Sequence, residues 1–427
     1  MESKIKNIYD LGTTENRKLA LCIAEAGYES IDTRNVVFNS IKLQDNVLTI
    51  LGESFDLSKF KKIKVVGFGK SSCEAAQALE KILGSKIADG AVIGLEKITC
   101  EYIETFSGTH PRPSIANIEA GKKIYDIAYK SNEDDLVIAI VSGGGSALLC
   151  YSESECEQGI ELYDSFLKSG KTITEINTVR KHISLLKGGG LAKIAYPATL
   201  IGLIFSDVPG NRFCDVASGP TYKDETTNID AEKLIEKYNL GKFILIETPK
   251  EDKYFEKVHN FVLVSNKTAV EAMSKKSIEL GFKSLIISTE LYDEVGESIS
   301  KIFAAREEGV VVLAGGEPSI QVLRNGGKGG RSLHMGLLAI KTQMIEKENF
   351  KDSVFITLAS DGMDNSDAAG SVVDEDTMRK AMEHNLDVDD YLNRFDSYNF
   401  FEKTGDIIMT GQTGANVSDL MILLTKK

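Results

Sequence analysis

Long apolar runs are missing from this sequence of 427 residues. None of its apolar stretches approaches the length of about 18 residues that a membrane-spanning helix needs. The first ten residues, MESKIKNIYD, also lack the apolar core of a signal peptide. We therefore expect a cytoplasmic protein with no membrane partner.

Paired cysteines and an excess of positive charge are missing too. The six cysteines form no CxxC pair, which fits a reducing, cytosolic compartment. There are 63 acidic residues against 50 lysines and arginines, so the net charge is −13. This balance disfavours nucleic acid as a partner. An anionic substrate must therefore be met by cations that are gathered locally.

Internal repeats and low-complexity tracts are absent, and the chain alternates between strands and helices. Amphipathic stretches of helical length, such as 72–83 and 267–280, lie between short apolar runs. This alternation predicts an α/β fold with largely parallel sheets, covered by helices on both faces. The strands are expected at 64–67, 136–141, 199–205, 261–264, 284–287, 310–313 and 355–358.

The chain is too long for one ordinary domain. The charged segment from Tyr222 to Asn260 has no glycine cluster, and we place a domain boundary near residue 255. Residues 1–255 are predicted to form the N-terminal domain and 256–427 a smaller C-terminal domain. About the first 40 residues could pack on the other domain. Candidate binding residues fall in both halves, which favours a cleft between the domains as the site.

The first candidate phosphate-binding turn is Gly67-Phe68-Gly69-Lys70-Ser71, which follows a strand and precedes a helix. Backbone N–H groups at a helix start favour an anion, and Lys70 adds a full positive charge. The spacing excludes a P-loop, and the dinucleotide fingerprint is only partly matched because Ser72 stands where a third glycine belongs. The alternative is a plain turn with a solvated lysine.

A second glycine-rich loop, Ser142-Gly143-Gly144-Gly145-Ser146, follows the strand at 136–141. Three successive glycines let the backbone approach a ligand closely, and the two hydroxyls can donate to phosphate or carboxylate oxygens. The alternative is that the glycines only turn the strand into the next helix. Three in succession exceed what a turn requires, so we favour ligand binding.

Helical spacing over 172–192 places Asn177, Arg180, Ser184 and Lys187 near one face. The glycines at 188–190 are expected to end this helix. The cations on this face are candidates for binding an anionic substrate. The alternatives are a solvated face for Arg180 and, for Lys187, an interaction with the negative end of the helix.

Acidic residues that follow predicted strands indicate a magnesium site or a general base. Asp207 follows the strand at 199–205, and Asp361, Asp364 and Asp367 follow the strand at 355–358. Their spacing does not match a calcium-binding EF-hand loop. We expect Asp361 to face the ligand, with Asp364 second, and Asp367 to cap a following helix. For Asp207 the alternative is a cap in a turn.

A third glycine-rich region lies in the C-terminal half. Gly315, Gly316 and Glu317 follow the strand at 310–313, and Arg324 to Ser332 holds four glycines, among them Gly329 and Gly330. Lys328 and Arg331 add positive charge to this loop, which could wrap phosphates. The alternative is a flexible basic hairpin tip.

Eight segments of the chain resemble the motifs of one known family, in the family's order. The family is the glycerate 2-kinases, whose C-terminal domain is of the MOFRL type, and the resemblance extends along nearly the whole chain. The segments are GFGKSS, SGTHPRPS, VSGGGSALL, INTVRKHISLLKGGGLA, FSDVPGNRFCDVASGPT, GGKGGRS, SDGMDNSDAAG and TGQTGANVSDL.

The resemblance implies phosphorylation of the 2-hydroxyl of D-glycerate, or of a related sugar acid, by ATP with Mg²⁺. The products would be 2-phosphoglycerate and ADP. It further implies a Rossmann-like N-terminal domain, a smaller mixed α/β C-terminal domain, and a site between them. Lys70 and Arg331 match the residues thought to serve in catalysis in the family.

The residues suggest how the work of phosphoryl transfer is divided. ATP is expected at the glycine loops of the N-terminal domain and the acceptor in the cleft. The acceptor carboxylate would suit Arg180 or Arg331. Asp207 and Asp361 are the candidate magnesium ligands, and Asp207 is the candidate base, with Asp361 and Asp364 as alternatives. The oligomeric state, monomer or dimer, is left open.

Three departures from the family pattern leave the exact acceptor open to a longer sugar acid. His110-Pro111-Arg112-Pro113-Ser114 replaces HPVPD, Ser332-Leu333-His334 replaces Asn-Gln-Glu, and Gly316-Glu317-Pro318 replaces GET. Two other functions stay in consideration: an NAD(P)-dependent hydroxypyruvate or tartronate semialdehyde reductase, and a non-catalytic sensor of sugar acids or nucleotides.

Overall fold

The computed structural model describes residues 3–169, 173–208, 210, 212–320, 326–346, 350 and 352–426. The helices are α1 (Ile8–Leu11), α2 (Glu15–Ser30), α3 (Thr33–Ser40), α4 (Ser72–Leu83), α5 (Ile115–Tyr129), α6 (Gly145–Leu148), α7 (Glu153–Ser169), α8 (Ile173–His182), α9 (Gly190–Ala195), α10 (Asn228–Tyr238), α11 (Asn266–Glu279), α12 (Val295–Ala304), α13 (Arg331–Glu346), α14 (Glu375–Glu383), α15 (Val388–Asn393) and α16 (Ser397–Thr404). The strands are β1 (Ile41–Gln44), β2 (Val47–Ile50), β3 (Glu53–Asp56), β4 (Lys62–Phe68), β5 (Ile87–Gly94), β6 (Glu104–Ser107), β7 (Asp135–Ser142), β8 (Thr199–Phe205), β9 (Val258–Val264), β10 (Lys283–Leu291), β11 (Val310–Gly316), β12 (Ser353–Ala359), β13 (Gly370–Val373), β14 (Ile407–Ile408) and β15 (Asp419–Thr425). Within the described ranges, no helix is long and apolar enough to cross a membrane.

The chain forms two compact units. Residues 33–263 make the first, which we call the parallel-sheet unit, and residues 1–32 together with 264–427 make the second, the mixed-sheet unit. The predicted division at 255/256 differs from this one. Strand β9 still belongs to the sheet of the parallel-sheet unit, and helix α2 packs closely on α11, where a Cβ added at Gly27 would lie 3.0 Å from Cγ of Met273.

The main sheet of the parallel-sheet unit has the strand order β6-β5-β4-β7-β8-β9. Numbered in chain order, these strands lie 3-2-1-4-5-6 across the sheet, which is the Rossmann arrangement. Strand β4 pairs in parallel with both β5 and β7, so the winding of the chain reverses between β4 and β7. Ligands bind at such a switch point, beyond the carboxyl ends of the strands. The predicted Rossmann-like fold is confirmed.

The predicted glycine turns both lie at this switch point. The first turn, Gly67 to Ser71, begins in the last two residues of β4. The second, Ser142 to Ser146, begins at the last residue of β7. Every residue of β7 is buried, as expected for a central strand that is covered by helices on both faces. The two loops are therefore presented at the same edge of the sheet, at the buried ends of both strands. A separate antiparallel sheet of β1, β2 and β3 precedes this core.

The sheet of the mixed-sheet unit has the order β10-β11-β15-β12-β13-β14. Only the β10–β11 pair is parallel; β15 runs antiparallel to both β11 and β12. The prediction of a largely parallel sheet is wrong here, because the last strand of the chain inserts between two strands that the sequence pattern presents as neighbours. A mixed α/β domain, as the family resemblance implies, is what the structure has.

The apolar runs predicted as strands all lie within observed strands. The predicted helix at 72–83 coincides with α4, and the one at 267–280 differs from α11 by one residue at each end. The sequence did not predict β5, a central parallel strand, or short and edge strands such as β6, β13 and β14. Such strands depend on packing and pairing in the sheet more than on their own residue pattern.

Arg17 ties helix α2 to the rest of the mixed-sheet unit. Its fully buried guanidinium donates to Asp374 at 2.6 Å and to Asp406 at 2.7 Å. Both carboxylates are themselves buried. Each of the three ions has lost most of its contact with water, and its charge is stabilised by the opposite charge beside it. This ionic cluster links residues that lie more than 350 positions apart in the sequence.

Replacement of Arg17 by Met should lower the free energy of unfolding by about 3–5 kcal/mol, because two buried carboxylates lose their guanidinium partner. Urea unfolding followed by circular dichroism measures the change. The control is Lys18→Met at the next position, where the exposed lysine only reaches Glu15 at 3.7 Å, and an effect within about 0.5 kcal/mol is expected. Equal urea midpoints for the two variants would contradict this role of Arg17.

Candidate active site

The two glycine loops at the switch point pack directly on each other. The N–H of Lys70 donates to the carbonyl oxygen of Gly143 at 2.8 Å, and the N–H of Ser71 donates to Oγ of Ser142 at 3.1 Å. Gly69 has a φ of +123°, and a Cβ at this position would lie only 2.3 Å from the carbonyl oxygen of Ser142. The close contact of the loops therefore requires glycine at position 69.

Three chemically different side chains surround the glycines of the second loop. A Cβ added at Gly144 would lie 3.0 Å from Cγ of Lys70 and 3.4 Å from Nε2 of His110, and one added at Gly143 would lie 2.2 Å from Oδ2 of Asp207. A cation, an imidazole and a carboxylate thus converge on a bare stretch of backbone. Of these, sequence reasoning selected Lys70 and Asp207 and did not select His110.

His110 is neutral at physiological pH in this site. Burial, and then the positive charges of Lys70 and Arg180, lower the pKa of its imidazole to about 4. The loop that carries it is fixed by the buried side chain of Asn117, which accepts from the N–H of Thr109 at 3.0 Å and from the N–H of Ser114 at 3.1 Å. The signal in the sequence was the segment SGTHPRPS, but its proximity to Lys70 depends on the tertiary fold.

A chain of polar side chains leads from the second glycine loop to Arg180. Oγ of Ser146 lies 2.8 Å from Oγ of Ser218, and Ser218 donates to Oδ1 of Asn177 at 3.4 Å. Oδ1 of Asn177 also accepts from Nη1 of Arg180 at 3.0 Å. Ser146, Asn177 and Arg180, which were selected from separate segments of the sequence, are therefore brought together. Ser218, which joins them, was not selected.

The backbone at Ser218 is held in an unfavourable conformation. Ala217 and Ser218 have φ values of +50° and +62°, which cost roughly 1–2 kcal/mol per residue outside glycine. The carbonyl of Ser218 accepts from the N–H of Gly188 at 2.9 Å, and the carbonyl of Gly219 accepts from the N–H of Gly189 at 2.8 Å. Gly188 and Gly189 thus hold this strained turn against the site.

Helix α8 ends earlier than predicted. It stops at His182, and the N–H of Ile246 donates to the His182 carbonyl at 2.6 Å, which satisfies one of the carbonyls left without a partner at the helix end. The glycines at 188–190 do not end α8; Gly190 begins α9. Ser184 and Lys187 therefore lie in the connecting segment and not on the helix face that was predicted.

Lys187 is buried, and its charge is used within the protein. Its Nζ donates to Oε1 of Glu155 at 2.6 Å, to the carbonyl of Leu149 at 2.8 Å and to Oγ of Ser184 at 3.4 Å. These contacts tie α7 to the segment after α8. They make Lys187 a support of the site rather than an open cation in it.

The mixed-sheet unit carries the second group of predicted residues, around the start of β15. Gly316 and Ala359 both pair with Asp419 in the sheet, so Gly315, Gly316 and Glu317 lie at the same sheet edge as Asp361. Nε of Arg331 donates to Oδ2 of Asp419 at 2.9 Å, and its Nη2 lies 3.5 Å from Oε1 of Glu317. Asp419 was not selected from the sequence, although it lies in the segment TGQTGANVSDL.

Asp364 caps the helix that follows the glycine-rich loop. Its carboxylate accepts from the N–H groups of Gly330, Ser332 and Leu333 at 3.1, 3.2 and 2.7 Å, so it holds the start of α13, at Arg331, in place. Burial, only partly offset by these three N–H donors, raises the pKa of Asp364 to about 6. Gly329 lies beside it in the loop, with a φ of +123°.

The remaining acids of the loop after β12 take different roles from those predicted. Asp367 pairs with Nζ of Lys328 at 2.8 Å, and the element that follows it is strand β13, so the prediction that it caps a helix is wrong. Asp361 accepts from the N–H of Met363 at 3.1 Å at the strand end. Pro209, Arg324 and Asn325 of the predicted loops, and Thr172, lie outside the described residues.

The candidate metal ligands lie in separate units. Asp207 belongs to the parallel-sheet unit and Asp361 to the mixed-sheet unit. Across the described ranges, no group of three or more histidine, cysteine or carboxylate side chains is arranged to hold a metal ion. Magnesium does not require such a cage, since it is commonly held by one or two carboxylates together with substrate phosphates.

The sequence matches two known family models, one in each half. Residues 19–245 match a domain of unknown function, DUF4147, and residues 310–419 match the MOFRL family. Glycerate 2-kinase of Pyrococcus horikoshii is 34% identical over 96% of this chain and 97% of its own length. The chain belongs to the glycerate 2-kinase family. The family resemblance of the eight sequence segments is thereby confirmed.

Other members of the glycerate 2-kinase family share the fold and differ in name. The crystal structure of glycerate kinase from Thermotoga maritima superposes with a TM-score of 0.82 at 30% identity, covering 96% of this chain and 99% of that one. A protein of Agrobacterium vitis, 33% identical over 84% of this chain and 86% of its own length, is provisionally named a hydroxypyruvate reductase.

Replacement of Gly145 by Ala should destabilise the parallel-sheet unit, because the added Cβ would lie 2.6 Å from Cβ of Ala217. We expect a loss of about 1–3 kcal/mol in the free energy of unfolding, measured by urea denaturation. The control is Gly159→Ala in α7, where an added Cβ meets nothing within 4 Å and an alanine favours the helix. A Gly145→Ala variant as stable as this control would refute the close packing of the loop on the strained turn.

The stability of the mixed-sheet unit should fall as pH rises from about 4 to 8. Burial, opposed by Arg331 and reinforced by Asp364 and Glu317, raises the pKa of Asp419 from 3.8 to about 8. The folded state then binds this proton more tightly than the unfolded state, so its contribution to stability is present at low pH and is lost on deprotonation.

Unfolding free energies at pH 5 and pH 8 test this expectation. Asp419→Asn should flatten the difference between the two pH values, and the exposed Asp10→Asn controls for the loss of one carboxylate. The same pH slope in wild type and Asp419→Asn would contradict the assignment to Asp419.

Proposed function

We propose that this protein is an ATP-dependent kinase that phosphorylates the 2-hydroxyl of D-glycerate, giving 2-phosphoglycerate and ADP. The observation that carries the proposal is the convergence of Lys70 and His110 on the glycine backbone of the second loop, at the switch point of a Rossmann sheet. Membership of the glycerate 2-kinase family supports the substrate class. The coarser conclusion, a phosphotransferase acting on a sugar acid, rests on the same observations.

The proposed chemistry needs positioned positive charge and backbone donors more than covalent help from the protein. Lys70, the backbone N–H groups of Gly143, Gly144 and Gly145 and the hydroxyl of Ser146 would bind phosphoryl oxygens. The hydroxyl of Ser142, also a candidate from the sequence, is buried against Ser71 and Ser72. In the other unit, Arg331 is held by Asp419 and Glu317 and is proposed as a second catalytic cation. A site formed by both domains stays a prediction.

The residues beside the glycine loop fit a magnesium ion that accompanies the nucleotide. The Asp207 carboxylate lies against Gly143, where one carboxylate and the nucleotide phosphates together could hold the ion; Asp361 is proposed as its second ligand. When bound, the ion would neutralise negative charge on the phosphoryl oxygens. Asp207 is also the proposed base for the acceptor hydroxyl, and the neutral His110 is available to accept a hydrogen bond from that hydroxyl.

The reductase alternative is supported by the provisional name of the Agrobacterium vitis relative. Two features of the first glycine turn favour the kinase. Ser72 occupies the place of the third fingerprint glycine and is fully buried, with its Oγ 3.3 Å from Oγ of Ser142. Gly69 is covered by Ser142, whereas a dinucleotide site keeps this turn open to the pyrophosphate. Hydroxypyruvate-dependent oxidation of NADH by the purified protein would favour the reductase instead.

Lys70→Met should reduce the kcat for D-glycerate phosphorylation by at least about 100-fold, since it removes a charge aimed at the phosphoryl group. Release of ADP in a coupled assay measures the rate, and ³¹P NMR identifies the product as 2-phosphoglycerate. Lys62→Met, at the exposed start of the same strand, is the matched control and should retain wild-type turnover. Full activity of Lys70→Met, or a 3-phosphate product, would refute the proposal.

A further inference from the structure

A small cavity lies beside the polar chain that ends at Arg180. It has a volume of about 30 Å³ and lies wholly within the parallel-sheet unit. Pro111 and Pro113 of the loop after β6 line one part of it, and Tyr163 of α7, Arg180 and Lys187 line others. A volume of this size admits about two water-sized groups, which is the number of oxygens in a carboxylate.

Among the described residues, Arg180 lacks the carboxylate partner that the buried cations Arg17, Lys64 and Lys187 have. Arg17 pairs with Asp374 and Asp406, Lys64 with Asp135 at 2.9 Å, and Lys187 with Glu155. Among the described residues, no acid lies within ion-pair distance of Arg180, and its one hydrogen bond to a side chain goes to Asn177. Arg180 is partly buried, and the hydration it loses is not offset by an anion among the described residues, as the lowered pKa of Arg180, about 10, also indicates.

We propose that Arg180 binds the carboxylate of the acceptor in this cavity, which makes it the residue that selects 2-hydroxy acids over neutral polyols. The proposal rests on the proposed kinase function. The planar guanidinium matches a carboxylate through two parallel hydrogen bonds. Asn177 uses Nη1 of Arg180 and sets the orientation of the remaining donors.

The lining of the cavity favours a carboxylate over a phosphate. Glu155 also lines the cavity and would disfavour a dianion more than a monoanion, although Lys187 offsets its charge. The glycine loops, where Lys70 lies, are the better match for phosphate.

Anchoring of the carboxylate would also position the reacting hydroxyl. In a 2-hydroxy acid this hydroxyl is on the carbon next to the carboxylate, so little freedom is left once the carboxylate is fixed. Lys70 and Arg180 both act on the pKa of His110, which places the imidazole within the field of both cations. A hydroxyl held beside Arg180 is therefore directed to the side of the site where His110 and the second glycine loop lie.

The experiment compares binding of D-glycerate and of its neutral analogue glyceramide by isothermal titration calorimetry, alone and with ADP and Mg²⁺. Arg180→Gln should weaken D-glycerate binding at least tenfold and leave glyceramide binding unchanged. Arg180→Lys, which keeps the charge without the fork, should give an intermediate loss. Arg34→Gln, an exposed arginine that pairs with Glu74 at 3.0 Å, is the control and should bind as wild type.

Turnover of the same variants separates this inference from the proposed function. We expect Arg180→Gln to raise the KM for D-glycerate at least tenfold, with the KM for ATP within about twofold of wild type. The wild-type protein could bind D-glycerate in a way that depends on Arg180 and yet show no turnover. That result would refute the proposed kinase function and support the role of Arg180 in binding the carboxylate. Three results would overturn the role of Arg180 in binding the carboxylate. Arg180→Gln could raise only the KM for ATP, or it could weaken glyceramide binding as much as D-glycerate binding. The third is that wild type binds no D-glycerate in either titration. Should Arg180→Gln fail to fold, the same outcomes are read from Arg180→Lys.

Discussion

Parallel pairing of β4 with β7 is the constraint on which the candidate site depends. It places the ends of two strands, separated by some 70 residues in sequence, side by side at the edge of the sheet, and the two glycine loops meet there. The hydrogen bond from Lys70 to Gly143 and the tight contact between Gly69 and Ser142 then leave no room for side chains. The result is a bare backbone with Lys70, His110 and Asp207 around it, which is the kind of surface that phosphates bind.

The cationic side chains that point into this acidic protein differ in whether they have a carboxylate partner. Arg17, Lys64 and Lys187 are inside the protein and are paired with carboxylates, and they contribute to folding. Arg180 faces a cavity and lacks such a partner among the described residues. The difference has a physical meaning: a partly buried charge without a protein counter-ion loses hydration that nothing replaces, and in our proposal the carboxylate of the acceptor supplies the missing anion.

Sequence patterns were most reliable where a residue's role depends on its immediate neighbours. The strands that end in glycine turns, the helix at 72–83 and the glycine loops themselves were predicted with the correct bounds or nearly so. His110, Ser218 and Asp419 were not selected, because their importance comes from partners in other segments: Lys70 and Arg180 for His110, Ser146 and Asn177 for Ser218, and Arg331 for Asp419. Likewise, the end of α8 is satisfied by a residue over 60 positions away, since the N–H of Ile246 donates to the carbonyl of His182.

The sequence by itself determined the α/β class, the position of most central strands, the glycine loops and the family, since these follow from short-range patterns of apolar residues, glycine and charge. Only the tertiary structure decided which of the candidate residues come together, that Lys187 and Asp364 are used internally, and that Arg180 has no carboxylate partner among the described residues. The reason is that pairing and burial are properties of segments brought together from distant parts of the chain. The sequence around a single lysine or arginine does not show whether the folded protein will place a carboxylate within ion-pair distance of it.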